Sequence, residues 1–222
     1  MKKIGLITIG QAPRDDVIPD IAPLFSSEVE LLQAGALDGL TAQDIAMFAP
    51  QEGDYVLISR LHDGSPVVFA ERHILPRLQS CIDELEARGV ELILFLCTGS
   101  FPAFHSNVPL VFPCKVLNGV VPALAAHSRI AVITPKEEQK KQCEDKWSEY
   151  VSHVQVVCAS PYGDSAELEC ACELLKETDV DLIVLDCIGY TAKMKAYVQM
   201  HTGKRVVLSR TVAARVVMEL LS

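Results

Sequence analysis

Short apolar runs rich in β-branched residues alternate with longer amphipathic runs along the whole chain, a pattern typical of an α/β fold built on parallel sheets. The turn signal His-Asp-Gly-Ser at 62–65 lies between the third and fourth apolar runs, so that pair is predicted to form a β-hairpin. The apolar runs predict ten strands, at residues 3–9, 29–32, 55–61, 67–71, 91–96, 109–112, 130–134, 154–158, 182–186 and 205–209.

Helix ends are marked by capping residues and glycines. Pro122 predicts a kinked or broken helix over 115–127. The predicted helix starts are Thr41 with Asp44, Thr134 with Pro135 and Glu137, and Asp164 with Glu167, and the predicted ends are Gly89 and Gly203.

An internal repeat divides the chain. V-E-L-I-L-F-L-C-T-G at 90–99 aligns with V-D-L-I-V-L-D-C-I-G at 180–189, and both segments carry Cys-x-Gly directly after an apolar strand. We therefore predict two pseudo-symmetric halves, each a mainly parallel sheet flanked by helices. The first half comprises residues 1–112 plus 210–222, and the second comprises residues 113–209.

The net charge and the distribution of the charged residues make some classes of function unfavourable. The 20 Lys and Arg residues against 29 Asp and Glu residues give a net charge of −9, and no block of cations is present. This disfavours binding to nucleic acid or to an anionic membrane, but a small anionic substrate remains compatible. No apolar stretch reaches the roughly 20 residues of a membrane span, and the N-terminus lacks a signal-peptide cleavage site. We therefore expect a cytoplasmic protein.

In a cytoplasm the eight cysteines are expected to be reduced. They form no Cys-x-x-Cys pair, and Cys170 and Cys172 would point apart on a helix, so no metal site is predicted. Reduced cysteine often packs as a small hydrophobic residue. That structural role is expected for Cys81, Cys114, Cys143, Cys158, Cys170 and Cys172.

The other two thiols, Cys97 and Cys187, are the candidate catalytic residues because they follow strands at matching positions of the repeat. Ligands of parallel sheets bind beyond the carboxyl ends of the strands. Free N–H groups of the following turns would lower the thiol pKa there. Asp186 flanks Cys187, whereas Leu96 flanks Cys97. If Asp186 points at Cys187 it would raise that pKa and make the two thiols unequal, and otherwise it would only cap the next turn.

Arg14 is the candidate for a bidentate contact with a substrate carboxylate, and its alternative is a surface ion pair with Asp15 or Asp16. His105 lies eight residues after Cys97, so a Cys–His hydrolase is a further alternative. Polar and turn residues at the strand ends complete the candidate substrate site: Thr8, Gly10, Gln11, Thr98, Gly99, Ser100, Ser160, Tyr162, Asp186, Ile188, Gly189 and Tyr190. The two tyrosines could close the mouth of the site, and the alternative is that they only pack in the core.

Motifs spread in order along nearly the whole chain resemble the AroM family: ITIGQAPRDDV, GALDGL, LHDG, CTGSFP, EEQ followed by KW, ASPY, LDCIGYT and LSRTVAARVVMELL. That family is similar to the aspartate/glutamate racemase superfamily, which includes racemases, maleate isomerase and arylmalonate decarboxylase. The resemblance implies two pseudo-symmetric α/β halves, no cofactor and a possible homodimer. It also implies that Cys97 and Cys187 face a substrate carbon from opposite sides.

The chain departs from glutamate racemases, which carry Cys-Asn-Thr and Cys-Thr-His at the two thiols. Here the segments are Cys97-Thr98-Gly99 and Cys187-Ile188-Gly189, and residues 10–14 replace an Asp-Ser pair. Glutamate and aspartate are therefore not the expected substrates. The sequence predicts a cofactor-independent isomerase of the racemase or epimerase type acting on a small carboxylate. The alternatives are a cysteine-dependent isomerase or decarboxylase, and a binding protein that kept the scaffold without the chemistry.

Overall fold

The computed structural model describes residues 1–125 and 127–221 and contains two four-stranded parallel sheets and one antiparallel hairpin. All ten predicted strands are present, and their ends differ from the predicted ones by three residues at most. The strands are β1 (Lys2–Thr8), β2 (Val29–Gly35), β3 (Val56–Arg60), β4 (Pro66–Ala70), β5 (Leu92–Leu96), β6 (Leu110–Val111), β7 (Arg129–Thr134), β8 (His153–Cys158), β9 (Leu182–Leu185) and β10 (Arg205–Leu208).

The two sheets have the same strand connectivity. The first sheet has the order β2-β1-β5-β6, and the second, read in the same sense, has the order β8-β7-β9-β10. Strands β5 and β9, which carry the sequence repeat, therefore occupy equivalent positions beside β1 and β7. The fold is the predicted α/β arrangement of two parallel sheets flanked by helices, and β3 and β4 form the predicted hairpin.

Helices cover both faces of each sheet, which is why the central strands are continuously apolar. On β5, Ile93 and Phe95 enter one hydrophobic cluster, while Leu92 and Leu94 enter another on the opposite face. The helices are α1 (Ile18–Ile21), α2 (Ala42–Ala46), α3 (Leu75–Ala87), α4 (Pro113–Leu124), α5 (Lys140–Ser148), α6 (Ser165–Lys176), α7 (Ala192–Thr202) and α8 (Ser209–Leu221), with short 3₁₀ turns at Ala22–Leu24, Glu71–His73 and Glu137–Gln139. None of the helices in the described part of the chain has the length and apolarity that a membrane span requires.

Most of the predicted helix signals are found at the helix ends. Thr41 and Asp44 form a capping box, Asp164 caps α6, and Gly203 ends α7 with a φ of 69°. The predicted start at Thr134 is wrong, because β7 continues through Thr134 and pairs it with β8, and α5 begins only at Lys140. Pro122 lies in the last turn of α4, where the helix ends two residues later.

The last helix, α8, connects the two sheets. It starts directly after β10 of the second sheet, yet Ala213, Ala214 and Val217 pack with Ile4 and Leu6 of the first sheet. This packing is compatible with assigning 210–222 to the first half, and that division of the chain stays a prediction.

Arg210 of α8 is almost completely buried and joins the second half to the segment around α1. Its Nε donates to the carbonyl of Ile188 at 2.8 Å. Its Nη1 donates to the carbonyl of Asp16 and to a carboxylate oxygen of Asp20, both at 2.9 Å. Arg210 therefore fixes the turn that follows Cys187 against the first half.

We expect Arg210→Met to lower the free energy of unfolding by about 3 kcal/mol, because it leaves buried carbonyls and a carboxylate without their donor. Urea denaturation measures the change. The control, Arg215→Met at an exposed position of the same helix, should change stability by less than about 0.5 kcal/mol. Equal losses in the two variants would contradict this role.

Candidate active site

A narrow cleft of about 50 Å³ lies where the carboxyl ends of β5 and β9, the β3 strand and α5 meet. Of the predicted site residues, the cleft is lined by Arg14, Cys97, Thr98, Gly99, Tyr162, Asp186, Cys187 and Ile188. The remaining predicted residues lie outside its lining: Thr8, Gly10, Gln11, Ser100, Ser160, Gly189 and Tyr190.

The two thiols, Cys97 and Cys187, occupy equivalent turns and line the same cleft. Each sulfur accepts the backbone N–H of the glycine two residues later, at 3.3 Å in both turns. Glycine is needed at both positions because neighbouring side chains lie too close to the backbone to leave room for a Cβ. A Cβ at Gly99 would lie 2.9 Å from Leu57 Cδ2, and one at Gly189 would lie 2.5 Å from the Tyr162 hydroxyl. The Cys-x-Gly repeat thus places a sulfur and its amide donor at the end of each central strand.

The expectation that the turns lower the thiol pKa values is wrong in this structure, because burial outweighs the N–H donors. Burial raises the pKa of Cys97, although the Gly99 N–H opposes the shift. Burial raises the pKa of Cys187 to about 11, against the Gly189 N–H, Arg14 and Arg210. Neither thiol lies at a helix N-terminus, since α7 begins at Ala192 and the next helix after Cys97 begins at Pro113.

Arg14 does not offer the cleft a pair of unoccupied N–H donors for a carboxylate. Its Nε and Nη2 donate to the two carboxylate oxygens of Asp16 at 2.7 and 2.8 Å. Its Nη1 donates to Thr8 Oγ1 at 3.2 Å, and its Nη2 also donates to the Tyr162 hydroxyl at 3.3 Å. The bidentate partner is therefore Asp16, as in the alternative prediction, but Arg14 is buried rather than at the surface.

Asp186 belongs to a polar network on the second half. Its Oδ2 accepts from Lys146 Nζ at 2.5 Å and from Trp147 Nε1 at 2.8 Å. Its backbone carbonyl accepts from Thr98 Oγ1 at 3.1 Å, which links the two cysteine turns directly. The Asp186 charge contributes to the raised pKa of Cys187, as the sequence suggested, although burial is the larger cause.

The largest group of residues missed at the sequence level lies along α5 and the turn before it. Gln139, Gln142, Cys143 and Lys146 line the cleft with the i, i+3, i+4, i+7 spacing of one helical face. They lie within the segment EEQKKQCEDKW, so the polar stripe could have been found from the sequence. The residues that these side chains contact could not have been found in this way, because they come from distant parts of the chain.

The stripe holds the β3–β4 hairpin over the cleft. The side-chain amides of Gln139 and Gln142 both donate to the Val56 carbonyl, at 3.1 and 3.2 Å, and Gln142 Oε1 accepts from the Val56 N–H at 3.3 Å. Tyr55, beside this strand, accepts the Ser100 N–H on its hydroxyl at 3.1 Å. The hairpin is thus joined to both cysteine-bearing halves.

Two further predictions are corrected. Tyr190 does not close the mouth, because its ring is buried in the core of the second half and its hydroxyl donates to the Ala159 carbonyl at 2.6 Å. His105 is exposed, and its backbone N–H and carbonyl bond to the side-chain amide of Gln79, so the predicted pair with the buried Cys97 is not formed.

The other predicted residues support the loops around the cleft. Ser160 Oγ accepts the Tyr162 N–H at 3.2 Å, and the Gln11 side chain bridges Leu37 and His62. Gly10 packs against Ser59, and Ser100 is exposed.

Within residues 1–125 and 127–221, no three His, Cys, Asp or Glu side chains are grouped in a way that could hold a metal ion.

Comparison with known proteins identifies the fold. The family model described as AroM protein matches residues 4–221. Allantoin racemase from Klebsiella pneumoniae superimposes with a TM-score of 0.69 at 14% identity, covering 100% of this chain and 88% of that chain. Maleate isomerase from Pseudomonas putida S16 gives 0.66 at 14% identity, covering 99% and 92%. Glutamate racemase from Aquifex pyrophilus gives 0.62 at 17% identity, covering 99% and 84%. No curated protein matches the sequence.

The raised thiol pKa values predict slow alkylation at neutral pH. Because the pKa of Cys187 is about 11, its thiolate fraction and its rate of reaction with iodoacetamide should rise about tenfold per pH unit between pH 8 and 10. Mass spectrometry of the Cys187 peptide measures this rate. A midpoint at the ordinary cysteine value of about 8.5 would show that burial does not control this thiol.

Proposed function

The chain belongs to the AroM family and has the aspartate/glutamate racemase-like fold, and from this we propose that it is a cofactor-independent isomerase of the racemase or epimerase type. In this proposal Cys97 and Cys187 move the α-proton of a small carboxylate-bearing substrate. The observation that carries it is that two buried thiols, from equivalent turns of the two sheets, line one cleft.

The proposed reaction needs one thiolate and one thiol. Cys187 is the proposed base, because the Gly189 N–H, Arg14 and Arg210 all oppose the burial that raises its pKa to about 11. Its thiolate takes the α-proton, and the Cys97 thiol gives a proton to the opposite face of the resulting carbanion. Arg14 and Lys146, both in the cleft wall, would stabilise the negative charge that develops on the carboxylate.

Decarboxylation and cis–trans isomerisation are related reactions that the same two thiols could carry out. The similar structures include racemases, a maleate isomerase and an arylmalonate decarboxylase. A decarboxylase would need one thiol to protonate a carbanion formed by loss of carbon dioxide, and a cis–trans isomerase would use one thiolate as a nucleophile. Analysis of products separates these outcomes from inversion of configuration. A homodimer also stays a prediction, which sedimentation can test.

The second candidate function is small-molecule binding without chemistry. The observation that favours it is that burial raises the pKa of both thiols, so neither is a ready base at neutral pH. Binding of a carboxylate that leaves its α-hydrogen unexchanged would support this candidate.

Exchange in heavy water tests the proposal. A panel of 2-substituted carboxylic acids is incubated with the protein, and α-deuterium incorporation and chirality are followed by NMR and chiral chromatography. We expect Cys97→Ala and Cys187→Ala each to reduce inversion at least about hundredfold, since each removes an acid–base group. Cys170→Ala, at an exposed position outside the cleft, is the matched control and should react like the unchanged protein. Folded protein that binds the acids without exchange would exclude the isomerase.

The pH dependence follows from the Cys187 pKa. Protonated Cys187 cannot act as a base, so kcat/KM should rise about tenfold per unit from pH 7 toward its pKa of about 11. The measurement is the initial rate of α-proton exchange at low substrate concentration. A plateau already at pH 7 would contradict the assignment of the base.

A further inference from the structure

Two buried acceptor atoms on the cleft side chains have no hydrogen-bond partner within the described structure: Gln139 Oε1 and Asp186 Oδ1. Both residues line the cleft and are only 9% and 7% exposed. A buried acceptor without a donor is unfavourable, so such atoms are rare in folded proteins. Two of them in the walls of one cleft point to an occupant that brings the missing donors.

The orientation of Gln139 is fixed by its neighbour. Its amide nitrogen donates to the Val56 carbonyl at 3.1 Å, and a carbonyl can only accept, so the amide oxygen must be the unpartnered end. Gln142, three residues later, differs because its nitrogen and its oxygen are both bonded to Val56. The two glutamines contact the backbone of the same residue, but of the two amide oxygens only Gln139 Oε1 has no donor.

The free acceptor of Asp186 has a similar origin. Lys146 Nζ and Trp147 Nε1 both donate to Oδ2, which leaves Oδ1 without a donor. Since Lys146 balances the carboxylate charge, Oδ1 can accept from a neutral N–H group as well as from an ammonium group. A second carboxylate on the ligand would be repelled by the same oxygen.

We propose that Gln139 Oε1 and Asp186 Oδ1 form a subsite that selects carboxylic acids bearing a nitrogen group with two or more N–H donors, namely an ammonium, amide or ureide, near the α-carbon. The inference rests on the proposed function only in taking the occupant to be the substrate. A hydroxyl supplies one donor and a methyl group none, so such analogues leave an acceptor unpaired. The two residues are therefore specificity-determining for the reaction at the thiols.

Binding measurements test the subsite without requiring turnover. Calorimetry compares alanine, N-carbamoylalanine, lactate and 2-methylpropanoate, which differ only in one substituent on the α-carbon. We expect at least one nitrogen-bearing acid to bind about tenfold or more tightly than its hydroxyl and methyl counterparts. Equal binding across a series, or no binding by any nitrogen-bearing acid, would overturn the proposal.

Paired variants separate recognition from structure. Gln139→Leu should weaken binding of the nitrogen-bearing acid about tenfold while keeping or raising the melting temperature, since Val56 retains its bonds to Gln142. The matched control, Gln142→Leu, should lower the melting temperature because it leaves the Val56 N–H unpaired. If Gln139→Leu lowers the melting temperature as much as Gln142→Leu, the residue is structural and the proposal fails.

Asp186→Asn places an N–H donor where Oδ1 accepts, while its oxygen can keep the contacts with Lys146 and Trp147. We expect it to weaken binding of the nitrogen-bearing acid about tenfold or more, and unchanged binding would overturn the subsite. Tight, variant-sensitive binding without α-hydrogen exchange would exclude the isomerase but leave the subsite standing. Exchange of the α-hydrogen of lactate or 2-methylpropanoate in preference to that of the nitrogen-bearing acids would exclude the subsite but support the isomerase.

Discussion

Burial of the two thiols is the constraint that governs the site. The β3 strand, held by Gln139 and Gln142, lines the cleft beside the cysteine turns, and both thiols are buried. Burial favours the neutral form of a thiol, and it also strengthens every charge–charge and hydrogen-bonding interaction nearby. The raised pKa of Cys187 and the ion pairs around the cleft are consequences of the same low-polarity environment.

Each buried cation in this region has its own carboxylate. Arg14 pairs with Asp16, and Lys146 pairs with Asp186. Arg210 pairs with Asp20, which is the third such pair. Charges taken out of water need partners with good geometry. The aspartates therefore allow Arg14 and Lys146 to lie in the cleft wall before any ligand binds. They also mean that a substrate carboxylate would compete with an aspartate rather than meet a free arginine.

Much of the fold and the position of the thiols could be predicted from the sequence, because both depend on local patterns. Apolar β-branched runs are recognisable one strand at a time, and the repeat alone placed Cys97 and Cys187 at equivalent strand ends. The partner of a buried polar side chain depends instead on distant residues. Lys146 and Asp186 are 40 positions apart, and nothing local to either shows that they meet.

The surroundings of the two thiols differ although their turns are alike. Cys97 follows Leu96, whereas Cys187 follows Asp186 with its contacts to Lys146 and Trp147. The polar groups are therefore concentrated on the second half, while Leu57 packs against the turn of the first. In the proposed reaction, the second half would orient the substrate, with its polar substituent toward α5. The unequal surroundings of the thiols would then assign them different roles in the proposed proton transfer, one as the base and the other as the proton donor.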